Sequence, residues 1–301
     1  MKRREFFLST LSLSASLATL KVSALPEVKH LNVGFDVNRE SKTRLVFSRF
    51  IKHARKEEWQ FLQIGECMGK IGRLLLGTEY VAGTLEGKGP EACRVYLTGL
   101  DCVTFYENVL CMTRILKKGK TTFDDFLAEL TFTRYRGGKL TDYTSRLHYT
   151  SDWIYDNEKK MIVRNITQEI GGEEYTQEVS FMSQNPNYYR ALVEFPEFVG
   201  TISRIEQEIN RRKHWYIPKR KVKQAQECLR TGDIIAIATP KKGLDYAHTG
   251  LAFRDERGKV RFLHASSVQK KVVLDAELYN YLQSGQEHIG ITVARPLEVR
   301  R

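Results

Sequence analysis

The chain has 301 residues, five cysteines and a formal net charge of +12 at pH 7. The cysteines are too few and too far apart for a disulfide scaffold, and no Cys-x-x-Cys pair indicates a zinc ribbon or a redox motif. The positive charge suits a polyanionic partner such as nucleic acid, anionic lipid or the cell wall. Because no nucleic-acid-binding motif occurs, we do not expect a nucleic-acid partner.

Residues 1–24 have the pattern of an export signal. Basic residues at 2–4 precede an uncharged, apolar stretch at 6–20, and an A-x-A-like cleavage sequence ends the segment. The pair Arg3-Arg4 is typical of a twin-arginine signal, and an ordinary secretory signal also tolerates it. The apolar stretch is too short to span a bilayer. We therefore expect an exported, periplasmic protein without stable membrane insertion, in which residues 25–301 form a single domain.

Apolar periodicity predicts a helical N-terminal half. After a leader arm at 25–38, one amphipathic helix is expected over 43–61 and a second over 64–76. Gly77 is a natural residue to follow the end of the second helix. A glycine-bounded loop that carries Tyr80 comes next, and strand or loop leads on to a third helix.

The third helix is predicted to begin at Cys102. Apolar residues recur at helical spacing from Val103 to Leu116. Asp101 is the natural N-cap, because its carboxylate can accept from the free amides of the first turn. The positive end of the helix dipole favours the thiolate, which is the nucleophilic form of cysteine. A buried structural cysteine is the alternative, since free cysteines are among the most buried residues.

The middle of the chain combines helices with a long aromatic loop. Helices are predicted over 122–131 and 195–214, and a β-hairpin is predicted from the segments 161–170 and 174–182. Residues 134–153 are polar and aromatic without any period, which is typical of a functional loop. The candidate binding groups of this loop are Tyr143, Ser145, Arg146, His148, Tyr149, Asp152 and Trp153.

Strand patterns dominate the C-terminal part. The predicted strands cover 232–238, 248–253, 260–265, 271–274 and 290–294, with a short helix over 276–283. Helices followed by an antiparallel sheet indicate an α+β fold. His248 lies near the start of one strand and His264 near the end of the next. The two histidines are therefore expected to be neighbours across an antiparallel pair.

A helix-terminal cysteine, a strand histidine and a polar partner on the next strand form a Cys-His-X arrangement. In such a site the histidine takes the thiol proton, and the third group fixes its tautomer and orientation. The alternatives are structural histidines, or a zinc site formed by Cys228, His248 and His264. The spacing of these three residues is not that of zinc ligands, so we expect neither a metal nor another cofactor.

Five short motifs occur in a specific order along the chain. They are Gly77-Thr78-Glu79-Tyr80, Asp101-Cys102-Val103-Thr104-Phe105, Thr231-Gly232-Asp233-Ile234, His248-Thr249-Gly250 and His264-Ala265-Ser266. Their order resembles that of the NlpC-like cell-wall cysteine hydrolases, from about residue 64 onward. The resemblance implies a papain-like, NlpC-type fold, with the cysteine helix packed on an antiparallel sheet that holds both histidines.

The same resemblance implies a role for each residue of the site. Cys102 would be the nucleophile, His248 the general base and His264 the orienting third residue. Tyr80 would face the cleft and help the backbone amide of Cys102 to form the oxyanion hole.

Two departures narrow the resemblance to one branch. Val103-Thr104 replaces the serine-glycine pair that usually follows the cysteine, and a large insertion, about residues 118–228, separates cysteine from histidine. With the stretches 76–86 and 145–149, these features look like a branch once catalogued as a domain of unknown function. Its members are now regarded as N-acetylmuramoyl-L-alanine amidases, thought to act on muropeptides that end in 1,6-anhydro-N-acetylmuramic acid.

Membership in this branch implies that the insertion builds the substrate pocket. The candidate substrate contacts, besides Tyr80, are Tyr143, Arg146, His148 and Tyr149. Arg146 can bind a stem-peptide carboxylate through two parallel hydrogen bonds. A salt bridge that fixes the loop is the alternative role of Arg146.

Three functions remain open, all with peptidoglycan or its muropeptide fragments as partner and with a monomer favoured. The favoured one is a muramoyl-alanine amidase. A γ-D-glutamyl–diamino acid endopeptidase of the same fold is the second, and a non-catalytic wall-binding protein is the third. The intact set of Cys102, His248 and His264 counts against the third.

Overall fold

The computed structural model describes residues 37–299, and the elements in this range belong to one compact unit. The export signal predicted at 1–24, and the leader arm up to residue 36, lie outside the described residues. Within residues 37–299, no helix is both long enough and apolar enough to cross a membrane.

Helices come mainly first along the chain and strands mainly last. The helices are α1 (Val37–Lys56), α2 (Ile64–Leu74), α3 (Cys102–Lys117), α4 (Phe123–Arg134), α5 (Thr150–Lys159), α6 (Phe181–Gln184), α7 (Arg190–Glu194), α8 (Phe198–Asn210), α9 (Val222–Ala225) and α10 (Leu278–Ser284). The strands are β1 (Glu79–Tyr80), β2 (Gly99–Leu100), β3 (Val163–Asn165), β4 (Glu173–Glu174), β5 (Trp215–Pro218), β6 (Ile234–Ala238), β7 (Tyr246–Arg254), β8 (Val260–Ser266), β9 (Lys271–Glu277) and β10 (Gly290–Pro296). The α+β class predicted from the sequence is confirmed.

The two N-terminal helices bury their apolar faces in the same core as α3. Helix α1 buries Phe47, Ile51 and Ala54, which recur at spacings of three and four residues. Helix α2 buries Met68 and Ile71 in the same cluster. These helices correspond to the two that the apolar periodicity predicts at the N-terminal end.

One sheet holds the strands in the order β2-β1-β9-β8-β7-β6-β10-β5-β4, and β3 pairs with β10 outside this path. The pairs are antiparallel except β1 with β2, which is parallel. The run β6, β7, β8 and β9 forms an antiparallel meander at the centre of the sheet. The strands that carry the two histidines, β7 and β8, are therefore neighbours.

The meander is buried on both faces. Leu251 and Leu263 belong to the core shared with the N-terminal helices and α3. Ala252 and Phe262, the alternate residues, belong to a second core with α10. Helix α3 and helix α10 thus cover the sheet from opposite sides.

The connection between α3 and the meander is largely a layer with its own core. This part of the chain includes α4 to α9 and the short strands β3, β4 and β5. Its core residues are Tyr143, Tyr149, Val179, Met182, Leu192, Ile202 and Ile209. It corresponds to the insertion predicted at about 118–228.

Two predictions in this region are wrong. The β-hairpin predicted over 161–182 is absent from the described residues, because β3 pairs with β10 and β4 pairs with β5. Strand propensity marked the segments, but distant strands supply their partners. The stretch 134–153, predicted as a loop, contains 3₁₀ turns and the start of α5.

Buried polar contacts tie the insertion to α3. Glu107 accepts from Nε of Arg134 at 2.8 Å and from the indole N–H of Trp153 at 3.0 Å. Both Glu107 and Arg134 are buried, so each depends on the other for its charge partner. This network holds the nucleophile helix against the insertion.

Candidate active site

Cys102 is the first residue of α3, as the sequence predicts. Asp101 is the N-cap: its Oδ1 accepts from the backbone N–H of Thr104 at 2.8 Å, and the Thr104 hydroxyl accepts from the Asp101 N–H at 2.9 Å. This reciprocal capping box fixes the point where β2 turns into the helix. The cysteine is thus held at a rigid helix start.

The thiol of Cys102 is protonated at neutral pH, contrary to the expected thiolate. Burial raises its pKa to about 11, and the carboxylate of Asp101 raises it further. Thr249 on β7 offers its hydroxyl and backbone N–H to the sulfur, and both lower the pKa. Desolvation and a neighbouring negative charge therefore outweigh the helix terminus.

His248 and His264 meet across β7 and β8. The two strands pair from Leu251–Leu263 outward, and Gly250 lies against His264 beyond the last pair. A Cβ at position 250 would stand only 2.7 Å from the His264 Cβ. Glycine in the His248-Thr249-Gly250 motif therefore makes room for the second imidazole.

A chain of hydrogen bonds runs from Asp275 on β9 through His264 to His248. Nε2 of His264 lies 3.3 Å from Oδ2 of Asp275, and Nδ1 of His264 lies 2.6 Å from Nε2 of His248. A neutral His264 that donates Nε2–H to Asp275 must accept at Nδ1. His248 then carries its proton on Nε2, which leaves a lone pair on its Nδ1.

Both imidazoles are neutral at neutral pH. Burial lowers the pKa of His248 to about 3, and positive charge on His264 or His288 would lower it further. Burial also lowers the pKa of His264, against the opposing effect of Asp275. A neutral His248 can accept a proton, as a general base must.

Cys102 and His248 are close along the chain of contacts but not hydrogen-bonded to each other among the described residues. Thr249, which contacts the sulfur, directly follows His248. Nδ1 of His248 has no hydrogen-bond partner within residues 37–299, whereas Nε2 is bound to His264. Catalytic hydrogen bonds often tighten only when substrate binds.

Two tyrosines flank the cysteine. Tyr80 pairs with Leu100 in the β1–β2 ladder, two residues before Cys102. Burial raises the pKa of Tyr80, and the charges of Cys102 and Asp101 add to the effect. Tyr281 on α10 has its pKa raised by burial and by Asp275 and Cys102, and its ring lies 5.1 Å from that of His264. Both phenols therefore keep their proton and can donate.

The four loop residues proposed as substrate contacts lie in the packed insertion. Tyr143 and Tyr149 are buried, and the Tyr149 hydroxyl donates to Glu206 at 2.7 Å. Nε2 of His148 lies 2.8 Å from the carbonyl oxygen of Tyr143. Burial and the charge of Arg146 lower the pKa of His148. Among the described residues, no hydrogen bond or ring contact joins these four to Cys102, His248 or His264. Their contact with substrate stays a prediction.

Arg146 is bound on all sides by protein groups. Its guanidinium pairs with Glu86 and lies 3.4 Å from Glu91, and it donates to the carbonyl oxygen of Leu85 at 3.0 Å. Its side chain is 5% exposed, and it lies over the Tyr143 ring. This is the geometry of the alternative role, a salt bridge that fixes the loop at 85–91.

The alternative zinc site has no counterpart in the geometry. Within the described residues, no group of three His, Cys, Asp or Glu side chains is arranged to hold a metal ion. Cys228 is exposed at the end of the insertion and stays a free thiol. The five cysteines of the sequence form no disulfide in the described range.

Three residues of the site were missed or left without a role in the sequence analysis. Asp275 follows a predicted strand and has no motif of its own, so only the β8–β9 register links it to His264. Thr249 was part of a motif, but its contact with Cys102 depends on how α3 packs. Tyr281 belongs to a helix that the sequence predicts only as short and amphipathic.

Solved structures of similar proteins share this fold. An N-acetylmuramoyl-L-alanine amidase from Bacteroides uniformis is 36% identical; the match covers 78% of this chain and 99% of that one, with a TM-score of 0.73. A Bacteroides fragilis protein named a candidate xylanase is 34% identical over 74% of this chain and 98% of that one, with a TM-score of 0.69. A Legionella pneumophila protein, assigned to a domain family of unknown function, is 22% identical over 86% and 96%, with a TM-score of 0.67, and supports the fold alone.

The class that the fold and these matches define is a cell-wall amidase-like hydrolase. The AmiA-like family model, described as N-acetylmuramoyl-L-alanine amidase-like, matches residues 70–291. The chain therefore belongs to the AmiA-like family. No curated protein matches the chain.

Proposed function

We propose that this protein hydrolyses the amide bond between N-acetylmuramic acid and L-alanine in peptidoglycan fragments. Cys102 is the nucleophile, His248 the general base and His264 the orienting residue. Soluble muropeptides that end in 1,6-anhydro-N-acetylmuramic acid are the proposed substrates, and the periplasm is the proposed location. The resemblance of stretches 76–86 and 145–149 to one amidase branch supports the substrate, and the export pattern of residues 1–24 supports the location.

The observation that carries the proposal is the hydrogen-bonded chain from Asp275 through His264 to His248. It leaves the lone pair of His248 on Nδ1, on the residue that directly precedes the Thr249 contact to the Cys102 sulfur. A nucleophile, a base with a fixed tautomer and an orienting group are the parts that acyl transfer requires.

The first half of the reaction forms a thioester. Nδ1 of His248 takes the thiol proton while Sγ of Cys102 bonds to the lactyl carbonyl carbon of the muramic acid. The carbonyl electron pair moves to oxygen and returns as the carbon–nitrogen bond breaks. His248 gives its proton to the leaving alanine nitrogen, so the peptide departs as a free amine.

The second half releases the sugar. A water molecule gives a proton to His248 as its oxygen bonds to the thioester carbon. The carbon–sulfur bond then breaks, and the proton passes from His248 to the sulfur. The muramic acid leaves with a free carboxyl group, and the thiol and neutral imidazole are restored.

Oxyanion stabilisation falls to the start of α3 and to Tyr80. The backbone N–H of Cys102 belongs to the first turn of the helix, where amides lack helical partners. The raised pKa of Tyr80 keeps its hydroxyl protonated and able to donate. Two such donors aimed at the developing charge are the usual means of stabilising a tetrahedral intermediate.

Product analysis tests this function. The purified protein is incubated with a defined disaccharide tetrapeptide and its 1,6-anhydro form, and the products are separated by mass spectrometry. Release of the disaccharide and an intact tetrapeptide supports the amidase. A sugar-linked dipeptide would instead identify an endopeptidase, and unchanged substrate with folded protein would remove both activities.

A further inference from the structure

A cavity of about 530 Å³ adjoins the two active-site histidines on the α10 side. Its walls come from the turn between β8 and β9, from the end of β9, from α10 and from the segment after α10. None of its lining residues belongs to the insertion at 118–228. A volume of this size lies within the range of about 300–1,000 Å³ that small-ligand sites occupy.

The cavity offers no cation to a ligand. Asp275 is the only Asp, Glu, Lys or Arg among the residues that line it. Burial lowers the pKa of His288 there, as it does for His248 and His264, so the three imidazoles are neutral at neutral pH. The ammonium of Lys219 acts on His288 but is bound to the carbonyl oxygen of Gly285 at 3.1 Å.

Neutral polar groups and an aromatic surface make up the rest of the wall. The uncharged polar side chains are Ser266, Ser267, Gln269, Asn280, Tyr281 and Ser284. Hydroxyl and amide groups can both donate and accept, as the hydroxyl and acetamido groups of a sugar require. The rings of Tyr281 and His288 stack at 5.4 Å with 21° between their planes, and form a flat apolar surface.

We propose, on the basis of the function proposed above, that this cavity binds the muramoyl sugar, which is the uncharged half of the substrate. The stem peptide carries free carboxylates, which would meet Asp275 without a cation to balance them. The sugar carries none while its lactyl group is held in the amide. The acyl side of the scissile bond therefore lies towards α10, and the peptide leaves in another direction.

This assignment bears on which bond is cut. An endopeptidase that cleaves after γ-D-glutamate would have to place a carboxylate-bearing residue on the acyl side of Cys102. A cavity without lysine or arginine disfavours that residue and favours an acyl group without charge.

A bulky side chain at the rim tests the proposal. Ser284→Trp fills the mouth of the cavity, and the matched control is Gln283→Trp, since Gln283 is exposed on the same helix region but does not line the cavity. Asn280→Trp, also exposed and lining, repeats the test if Ser284→Trp does not fold. Thermal unfolding and the alkylation rate of Cys102 with iodoacetamide report whether fold and nucleophile are intact.

Two readouts are compared in each variant: kcat/KM on the disaccharide tetrapeptide, and binding of the methylamide of N-acetylmuramic acid by ligand-observed NMR. We expect Ser284→Trp to lose about tenfold or more in kcat/KM and to lose probe binding, with alkylation unchanged and Gln283→Trp like wild type. Equal behaviour of the two variants, or no probe binding by the wild type, would overturn the sugar assignment. Probe binding without any release of peptide would retain the sugar site and reject the amidase function.

Discussion

Nε2 of His248 and Nδ1 of His264 lie 2.6 Å apart, joined by a hydrogen bond between adjacent strands of the central meander. Because each imidazole has one donor and one acceptor when neutral, this bond links the tautomers of the two rings. Asp275 settles the direction of the link by accepting from His264. The lone pair that is left over lies on Nδ1 of His248.

The two histidines are expected to differ in importance. His248→Ala removes the proton acceptor and should lower kcat about 10²–10⁴-fold. His264→Ala removes only the orienting group, which water can partly replace, so its loss should be smaller. Steady-state rates on a muropeptide check the ranking, with His53→Ala as the control, since His53 is exposed on α1. A larger loss for His264→Ala would show that the two roles are exchanged.

Asp275 acts as a positioning residue through His264. Asp275→Leu removes the acceptor, so His264 can adopt the other tautomer and compete for the His248 lone pair. We expect a fall in kcat with little change in KM, and partial recovery in Asp275→Asn, which keeps an oxygen acceptor. Asp255→Asn, in the turn between β7 and β8, serves as the control. Equal kcat for Asp275→Leu and wild type would remove Asp275 from the mechanism.

Cys102 should react as a thiol of high pKa. Its pKa of about 11 lies above neutral pH, so the thiolate fraction rises with pH across the neutral and alkaline range. We expect the rate of alkylation by iodoacetamide to increase about tenfold per pH unit until the pKa is approached. The rate is followed on the peptide that contains Cys102, because Cys228 is exposed and also reacts. A rate that is flat from pH 5 to pH 9 would indicate a thiolate already paired with an imidazolium.

Removing Arg146 should act on stability. Arg146→Ala leaves the buried carboxylate of Glu91 and the Glu86 carboxylate without their guanidinium, at a cost of about 3 kcal/mol in the free energy of unfolding. Arg190→Ala breaks an exposed pair with Glu194 and should cost less than about 1 kcal/mol. Urea unfolding compares the two. If Arg146→Ala keeps full stability but loses kcat/KM on muropeptides, Arg146 binds substrate instead.

The sequence predicts the nucleophile and its surroundings well, because their signals are local. The aspartate before Cys102 and the threonine two residues after it form the capping box seen at the start of α3. The short turn between two strand patterns predicts that His248 and His264 are neighbours. Both inferences need only the chain within a few residues of the feature.

The features that the sequence does not predict depend on distant contacts. The role of Asp275 follows from the register of β9 on β8, which a bulge shifts between Arg261 and Leu263. The partners of β3 and β4 are strands far along the chain, so a local hairpin pattern was misleading. The high pKa of Cys102 comes from burial, whereas local sequence reports only the helix terminus.

The bond between the cysteine and the sugar tests the central claim most directly. Wild-type protein is mixed with a disaccharide tetrapeptide, quenched in acid within the first turnover, and digested for mass spectrometry. We predict that the peptide containing Cys102 gains the mass of the muramoyl acyl group and nothing of the stem peptide, and that Cys102→Ala gives neither adduct nor product. An adduct that includes alanine and glutamate, or peptide release by Cys102→Ala, would contradict the account.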